Sequence, residues 1–330
     1  MDAVCRETRT AATVDTILHG DGEQSGMTGH APASGKRDLL DIAGVVPPTV
    51  TAFDEAGAVD PEATVAHAQF VADQGASAVF PLGTNGEFAL LSGEERRRVV
   101  EAVADSVDVP VIAGVGTPST RNTVAHAEHA EAVGADGVVA VTPYYYPLDE
   151  QGAVEHYRAI TQAVDIPVYV YHIPSKTGNE LSLSALDRIA AIDGIAGLKD
   201  SSKDVPWLAQ AIDRNPGLTF MAGSDSLLHA GLDLGCAGLV SAVANVFPEL
   251  VVDLYEAYDA GEDDRARELQ STIFGIRDAM KRGPYMAGVK TALQLRDLSF
   301  DVGGLRAPLR TMDDADRDRL EADLAALDLL

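Results

Sequence analysis

From Val45 onward, short apolar runs rich in β-branched residues alternate with longer stretches whose apolar residues recur every three to four positions. The short runs predict strands over 45–51, 78–83, 109–116, 137–143, 167–174, 195–200, 218–225 and 238–245. The longer stretches predict amphipathic helices, among them 61–74, 92–106, 120–133 and 151–164. Pro61 suits a first helical position behind Asp60 as N-cap, and Ser92 with Glu95 three residues on makes a capping box.

Strands that are apolar on both faces, each followed by a helix, predict a parallel sheet covered by helices. Eight such units in roughly 200 residues fit a closed (β/α)₈ barrel, a TIM barrel, better than an open doubly wound sheet. After about Pro248 the pattern is helical with no further strands. The expected organisation is a disordered N-terminal extension over 1–38, a barrel over 39–248 and a C-terminal helical region over 249–330. Met27 inside the extension is a candidate alternative start.

The length of 330 residues suggests two domains by a prior of roughly 150 residues each, but α/β barrels run to about 250 residues as one. Hydrophobic residues at 46% suffice for a large core. Charge changes the picture more. There are 51 acidic against 25 basic residues, a net charge of −26, and the lysines are confined to Lys36, Lys176, Lys199, Lys203, Lys281 and Lys290. Such a field repels nucleic acid and anionic membranes, so neither is an expected partner. It fits a halophilic protein, in which concentrated salt screens the self-repulsion, with a merely acidic cytosolic protein as the alternative. Cys5 and Cys236 are too few for a disulfide framework or a thiolate metal site. His126 and His129 stand three apart on a predicted surface helix, a poor zinc pair, and no metal is expected. No apolar run reaches the ~18 residues of a membrane span, and the N-terminus lacks the apolar core of a secretion signal, so the expected location is cytoplasmic. Trp207 and Phe220 are expected to pack, and 313–328 to form an acidic helix with one buried stripe.

In a barrel the chemistry gathers at the C-terminal ends of the strands, and the unusual residues fall there. Lys199 lies within the apolar run Ile-Ala-Gly-Leu-Lys-Asp. Burial disfavours the charged form of an amine, and a neutral amine attacks carbonyls, so Lys199 is a candidate Schiff-base nucleophile. It could equally be a structural cation paired with Asp200 or Asp225. The turn Gly83-Thr84-Asn85-Gly86-Glu87 is a candidate nest of backbone N–H groups for a carboxylate, or an ordinary strand-to-helix turn. It lacks the Gly-Lys-Ser/Thr ending of a nucleotide loop. Tyr171, in the fifth predicted strand, is a candidate proton shuttle or a core tyrosine.

Together, Gly83 to Glu87, Thr142-Pro143-Tyr144-Tyr145, Tyr171-His172-Ile173-Pro174-Ser175-Lys176-Thr177-Gly178 and Gly197-Leu198-Lys199 resemble the dihydrodipicolinate synthase / N-acetylneuraminate lyase family. The resemblance runs from about Val45 to the C-terminus. It implies a barrel with a helical C-terminal region, a homotetramer, and class I aldolase chemistry on pyruvate or another small 2-keto acid, with no cofactor beyond the covalent lysine imine. By motif, Lys199 would form the imine and Tyr171 would be the acid/base. Thr84 and Asn85 would hold the carboxylate. Thr84 and Tyr145 would extend the proton relay, with Tyr145 reaching in from a neighbouring subunit. Gly223 and Ser241 would line the pocket.

The chain departs from the synthases of this family at three points. Asn85 replaces a threonine, Lys176 an arginine, and Asp200-Ser201-Ser202 follows Lys199 in place of Glu-Ala. A lysine lacks the bidentate fork of arginine. Tyr144-Tyr145-Tyr146-Pro147, Gly223-Ser224-Asp225 and the segment from Asn245 to Glu249 are similar to archaeal 2-keto-3-deoxygluconate aldolases. The expected reaction is therefore cleavage of 2-keto-3-deoxygluconate or its 6-phosphate, with Lys176 either holding the distal phosphate or simply facing solvent. A dihydrodipicolinate (4-hydroxy-tetrahydrodipicolinate) synthase and a 2-keto-3-deoxypentonate dehydratase are the alternatives. A non-enzymatic barrel is the least favoured, because every chemical position holds a competent residue.

Overall fold

The computed structural model describes residues 42–330. The expected extension over 1–38, with Cys5 and Met27, lies outside the described residues.

Seven strands form one parallel sheet: β1 (Gly44–Val45), β2 (Ile112–Gly114), β3 (Gly137–Val141), β4 (Val168–His172), β5 (Ile195–Asp200), β6 (Thr219–Ala222) and β7 (Gly238–Leu239). Their order is β1-β7-β6-β5-β4-β3-β2, so β1 and β2 are the two ends. The expected second strand, 78–83, is not a regular strand. It touches β2's side through one parallel bridge, Val79 to Val111, yet it fills the gap between the two ends. Ser77 N–H donates to Val45 O at 2.8 Å and Phe80 N–H to Pro47 O at 3.0 Å. On its other side Val79 N–H donates to Pro110 O at 2.9 Å, and Ile112 N–H to Val79 O at 2.9 Å. The cylinder is thus closed by eight chain segments. Its ladder is broken at this seam because Pro47, Pro48, Pro81 and Pro110 have no N–H to donate.

The helices follow their sequence signals. α1 (Pro61–Asp73) is capped by the Asp60 side chain on Ala63 N–H. α2 (Gly93–Ala104) carries both halves of the Ser92/Glu95 capping box. α3 (Thr120–Ala132), α4 (Glu150–Ala163), the single turn α5 (Pro174–Thr177), α6 (Leu183–Ala190), α7 (Val205–Arg214) and α8 (Leu228–Asp233) complete the barrel's outer layer. Then come α9 (Pro248–Asp259), α10 (Asp263–Ala279), α11 (Tyr285–Leu295) and α12 (Asp314–Ala325). α12 has the expected acidic surface and buries Leu320 and Leu324.

Side-chain alternation sorts the strands into two apolar layers. Val168, Val170 and Leu198 point outward to the helices, with Phe220 and Trp207 buried in the same layer. Phe80, Ile112, Val139, Tyr169, Tyr171 and Met221 fill the barrel interior. Cys236 is buried, and burial pushes its thiol up to about 12, so it is inert packing. Among the described residues, no helix is long and apolar enough to cross a membrane.

Candidate active site

Lys199 is the fifth residue of β5 and is 6% exposed. Neighbouring strands fix its surroundings. In the parallel ladder it is level with Tyr171 on β4 and Met221 on β6. Its Nζ lies 3.8 Å from the centroid of the Tyr171 ring and 5.1 Å from that of Phe80. Below it is a small apolar hollow between Val46, Phe80, Ile112 and Val240. Above it opens a cavity of about 370 Å³. The amine therefore sits on an apolar floor and faces a polar chamber, as a carbonyl nucleophile requires.

The structural alternative for Lys199 is filled by other groups. Asp200 accepts from His172 Nδ1 at 2.9 Å on the outer face of the same strands. His172 Nε2 accepts from Leu181 N–H, which fixes the tautomer with the proton on Nδ1. Asp225 accepts from Ser241 Oγ at 2.6 Å and from Tyr285 Oη at 2.8 Å.

Tyr171 Oη lies 3.2 Å from Thr84 Oγ1. Burial pushes the phenol up, but the charge of Lys199 and hydrogen bonds from Thr84, Lys199 and Ser201 outweigh it, and the net direction is down. Tyr285 goes the other way. Burial and the Asp225 carboxylate push its phenol well up, so it stays a donor. Two tyrosines at one cavity thus have opposite tendencies, with Tyr171 the one able to release a proton.

The turn after the closing segment is built differently from the expected glycine nest. The left-handed residues are Leu82 and Glu87, with φ of 62° and 52°, rather than the glycines. Gly83 and Gly86 are needed for close approach instead. A Cβ on Gly86 would lie 3.0 Å from Thr49 O, and one on Gly83 3.1 Å from the Phe80 ring. The turn closes with Gly86 N–H on Gly83 O and Glu87 N–H on Thr84 O. Thr84 and Asn85 project into the cavity. Asn85 is buried, and its Nδ2 has no protein hydrogen-bond acceptor. A buried donor without a partner costs about 1–3 kcal/mol, which a bound carboxylate would recover.

Glu87 anchors this turn through a second buried lysine. Lys290 Nζ, from α11, reaches Glu87 Oε1 at 2.9 Å, Thr51 O at 2.8 Å and Gly304 O at 2.7 Å. Two ammonium protons thereby go to backbone carbonyls, and Glu87 balances the charge as the ion-pair partner. Burial lowers the Lys290 amine, opposed by Glu87. Arg306 N–H donates to the other Glu87 oxygen at 2.9 Å.

The remaining expected site residues divide. Gly223 lines the cavity, and nothing larger fits: a Cβ there would lie 2.3 Å from Ser201 Oγ and 2.9 Å from Lys199 Cε. Lys176 is exposed on α5 and lines both the main chamber and an adjoining lobe of about 280 Å³. Ser241 is corrected: it is completely buried and does not line the cavity, because its hydroxyl is turned to Asp225 and Ala244 N–H. Tyr145 is not brought to the cavity of its own chain. It is 82% exposed, stacks edge-to-face on Tyr146 at 4.9 Å, and holds a left-handed φ of 81°. That backbone is strained for an aromatic residue.

Sequence reasoning missed the cationic rim. Lys203, Arg277 and Arg310 join Lys176 and Lys199 around the main chamber, against Asp225 as the acidic lining residue. Arg277 and Arg310 come from the helical region beyond the barrel, and nothing in their local sequence points to the cavity. Ser201 was also missed; its hydroxyl donates to Gly223 O at 2.7 Å beside Tyr171.

With this geometry in place, known proteins supply a frame. The sequence profile of the dihydrodipicolinate synthetase family matches residues 41–327. A protein of Halobacterium salinarum described as an uncharacterized DapA-like lyase is 68% identical over 306 residues, covering 92% of this chain and all of the other. A 4-hydroxy-tetrahydrodipicolinate synthase of Methanothrix thermoacetophila is 36% identical, covering 84% of this chain and 94% of its own. The fold is similar to that of YagE from E. coli K12 in complex with pyruvate, with a TM-score of 0.84 and 29% identity over 87% of this chain and 99% of the other. It is also similar to a KD(P)GA from T. tenax, with a TM-score of 0.80 and 29% identity over 86% of this chain and 99% of the other.

Proposed function

This chain belongs to the dihydrodipicolinate synthetase family of pyruvate-dependent lyases, and from that premise we propose that it is a class I aldolase. Its proposed reaction cleaves 2-keto-3-deoxygluconate 6-phosphate, and less readily the unphosphorylated acid, to pyruvate and glyceraldehyde 3-phosphate or glyceraldehyde. The observation that carries the choice of substrate is the cationic rim. A chain of net charge −26 gathers Lys176, Lys203, Arg277 and Arg310 around the chamber above Lys199. Such a cluster stabilises a doubly charged distal group far more than a neutral hydroxyl end. The likeness to the T. tenax KD(P)GA fold agrees with it.

The chemistry follows from the residues around Lys199. The C1 carboxylate binds the Thr84 and Asn85 backbone N–H groups and Asn85 Nδ2. Lys199 Nζ adds to the C2 ketone, and Tyr171 donates the proton with which the C2 hydroxyl leaves as water. The iminium withdraws electrons, and the Tyr171 phenolate takes the C4 hydroxyl proton. The C3–C4 bond breaks, the aldehyde departs, and an enamine of pyruvate remains on Lys199. Tyr171 returns the proton to C3, and water hydrolyses the imine. Acid/base assistance of this kind contributes about 10²–10⁴-fold. The exposed Tyr145, held in a strained backbone, supports pairing with a second subunit whose relay it would complete, and the net charge supports operation in high salt.

Pyruvate release from 2-keto-3-deoxygluconate and its 6-phosphate, measured beside condensation of pyruvate with aspartate semialdehyde, tests the assignment. The expected result is the highest kcat/KM with the 6-phosphate. Lys176→Ala and Arg310→Ala should raise its KM about tenfold or more and barely change that of the unphosphorylated acid. A faster condensation reaction would replace this reading with a synthase, and loss of the C4 hydroxyl without aldehyde formation with a dehydratase.

A further inference from the structure

We infer that His229, Asp233 and Asp263 form a binding site for one divalent transition-metal ion, remote from the barrel mouth and clamping α8 to α10. His229 is the second residue of α8, and Asp233 follows it one turn later. Asp263 opens α10. One ligand atom from each of the three side chains lies within 4.8 Å of the others.

Clustering alone would mean little on so acidic a surface. His229 separates this cluster from the rest. Its side chain is 9% exposed, while those of Asp233 and Asp263 are half exposed. Its Nε2 is fully buried, makes no hydrogen bond, and points at Asp263 Oδ1 from 3.5 Å. Two ligands each about 2.1 Å from a tetrahedral ion stand about 3.4 Å apart. The nitrogen and oxygen are therefore spaced for a shared ion and too far apart for a hydrogen bond. Asp263 is free to use Oδ1, because Arg267 engages its Oδ2 at 2.9 Å. Asp233 Oδ2 lies 3.4 Å from His229 Nδ1, the other ring nitrogen, and its carboxylate accepts from Tyr258, so it joins an ion on Nε2 only by swinging away from both.

The backbone beneath the site is already fixed. Gln270 of α10 accepts from His229 N–H at 3.0 Å and donates to Asp225 O at 2.9 Å. The Tyr258 ring packs edge-to-face on His229 at 5.7 Å. An imidazole with two carboxylates suits Mn²⁺, Co²⁺, Ni²⁺ or Zn²⁺ better than Mg²⁺ or Ca²⁺, which prefer all-oxygen sets. Remaining positions would hold water.

The test uses the full chain stripped with EDTA and titrated with Co²⁺, Zn²⁺ or Mg²⁺ in an isothermal calorimeter, with melting followed in parallel. The expected result is one saturable equivalent of Co²⁺ or Zn²⁺ per chain, weaker Mg²⁺ binding, and a rise in Tm on loading. His229→Gln and Asp263→Asn should each weaken binding about tenfold or more and abolish the rise in Tm. His126→Gln, on a different helix, should change neither. If His229→Gln does not fold, Asp233→Asn decides, since that carboxylate is exposed. Absence of a saturable equivalent in the unaltered protein overturns the inference. So does an affinity unmoved by all of these substitutions, which would mean diffuse counter-ion association with the acidic surface.

Discussion

Tyr171 and Lys199 are register partners on adjacent parallel strands, and the lysine Nζ sits 3.8 Å from the tyrosine ring centroid. The ladder that holds β4 to β5 therefore also fixes the phenol beside the amine. One residue further along the same register, His172 and Asp200 hydrogen-bond on the opposite face. A slip by one residue would set Lys199 level with Val170 or His172 and break both pairs.

Trapping with borohydride and pyruvate should add a reduced pyruvate adduct to Lys199 in the unaltered protein and none in Lys199→Ala. Gly223→Ala should behave almost as badly, since its methyl group would occupy the space of Ser201 Oγ and Lys199 Cε. Intact mass after reduction reads both outcomes. A normal adduct yield in Gly223→Ala would show that the wall moves aside.

Tyr171→Phe should lower kcat by about 10²–10⁴-fold while leaving slow imine formation detectable. The basic limb of the kcat/KM profile should lie below the usual tyrosine value of about 10, following the downward direction of the phenol. Thr84→Val removes a hydrogen bond that favours the phenolate. The phenol's pKa then rises, and the limb should move to higher pH. A limb that stays put would assign the titration to another group.

Lys290→Met should cost about 3–5 kcal/mol in urea unfolding, because Glu87 is left charged and buried with its ion-pair partner gone. The double variant Lys290→Met/Glu87→Gln should recover part of that loss. Pyruvate adduct formation at Lys199 should persist in whatever fraction stays folded. Loss of the adduct in a fully folded Lys290→Met protein would give this lysine a chemical role.

Acid should destabilise the fold well before most carboxylates protonate. His67 and His156 are buried, and desolvation lowers both to about 4. Their unfolded value is about 6.5, so between pH 6.5 and 4 the unfolded chain binds protons that the folded chain refuses. Their stabilising contribution is complete above pH 6.5 and is lost as pH falls toward 4, at about 1.4 kcal/mol per pH unit for each group. Urea midpoints measured from pH 7.5 to 4.5 should fall accordingly, and His67→Gln should flatten the slope. An unchanged slope in that variant would remove His67 from the account.

Short apolar runs set between amphipathic stretches determined the strands, the helices and, with the order of the motifs, the barrel. Those signals are local: an unbroken apolar run, a period of 3.6 and a capping residue are written within a few positions. They also placed Lys199, Tyr171, Thr84 and Asn85 at the strand ends where a barrel keeps its chemistry. Other features depended on residues far apart in the chain. The closing strand lost its regular ladder to prolines on both neighbours. Ser241 turned away from the cavity because Asp225 took its hydroxyl. Lys199 and Lys290 are both lysines at apolar positions, and their difference lies in what surrounds them. Lys290 meets Glu87 and two carbonyls from segments up to 239 residues away, whereas Lys199 meets an aromatic ring and an open chamber. Burial and hydrogen-bond partnership are properties of such long-range contacts, so only the folded chain could separate the anchoring amine from the one that faces the cavity.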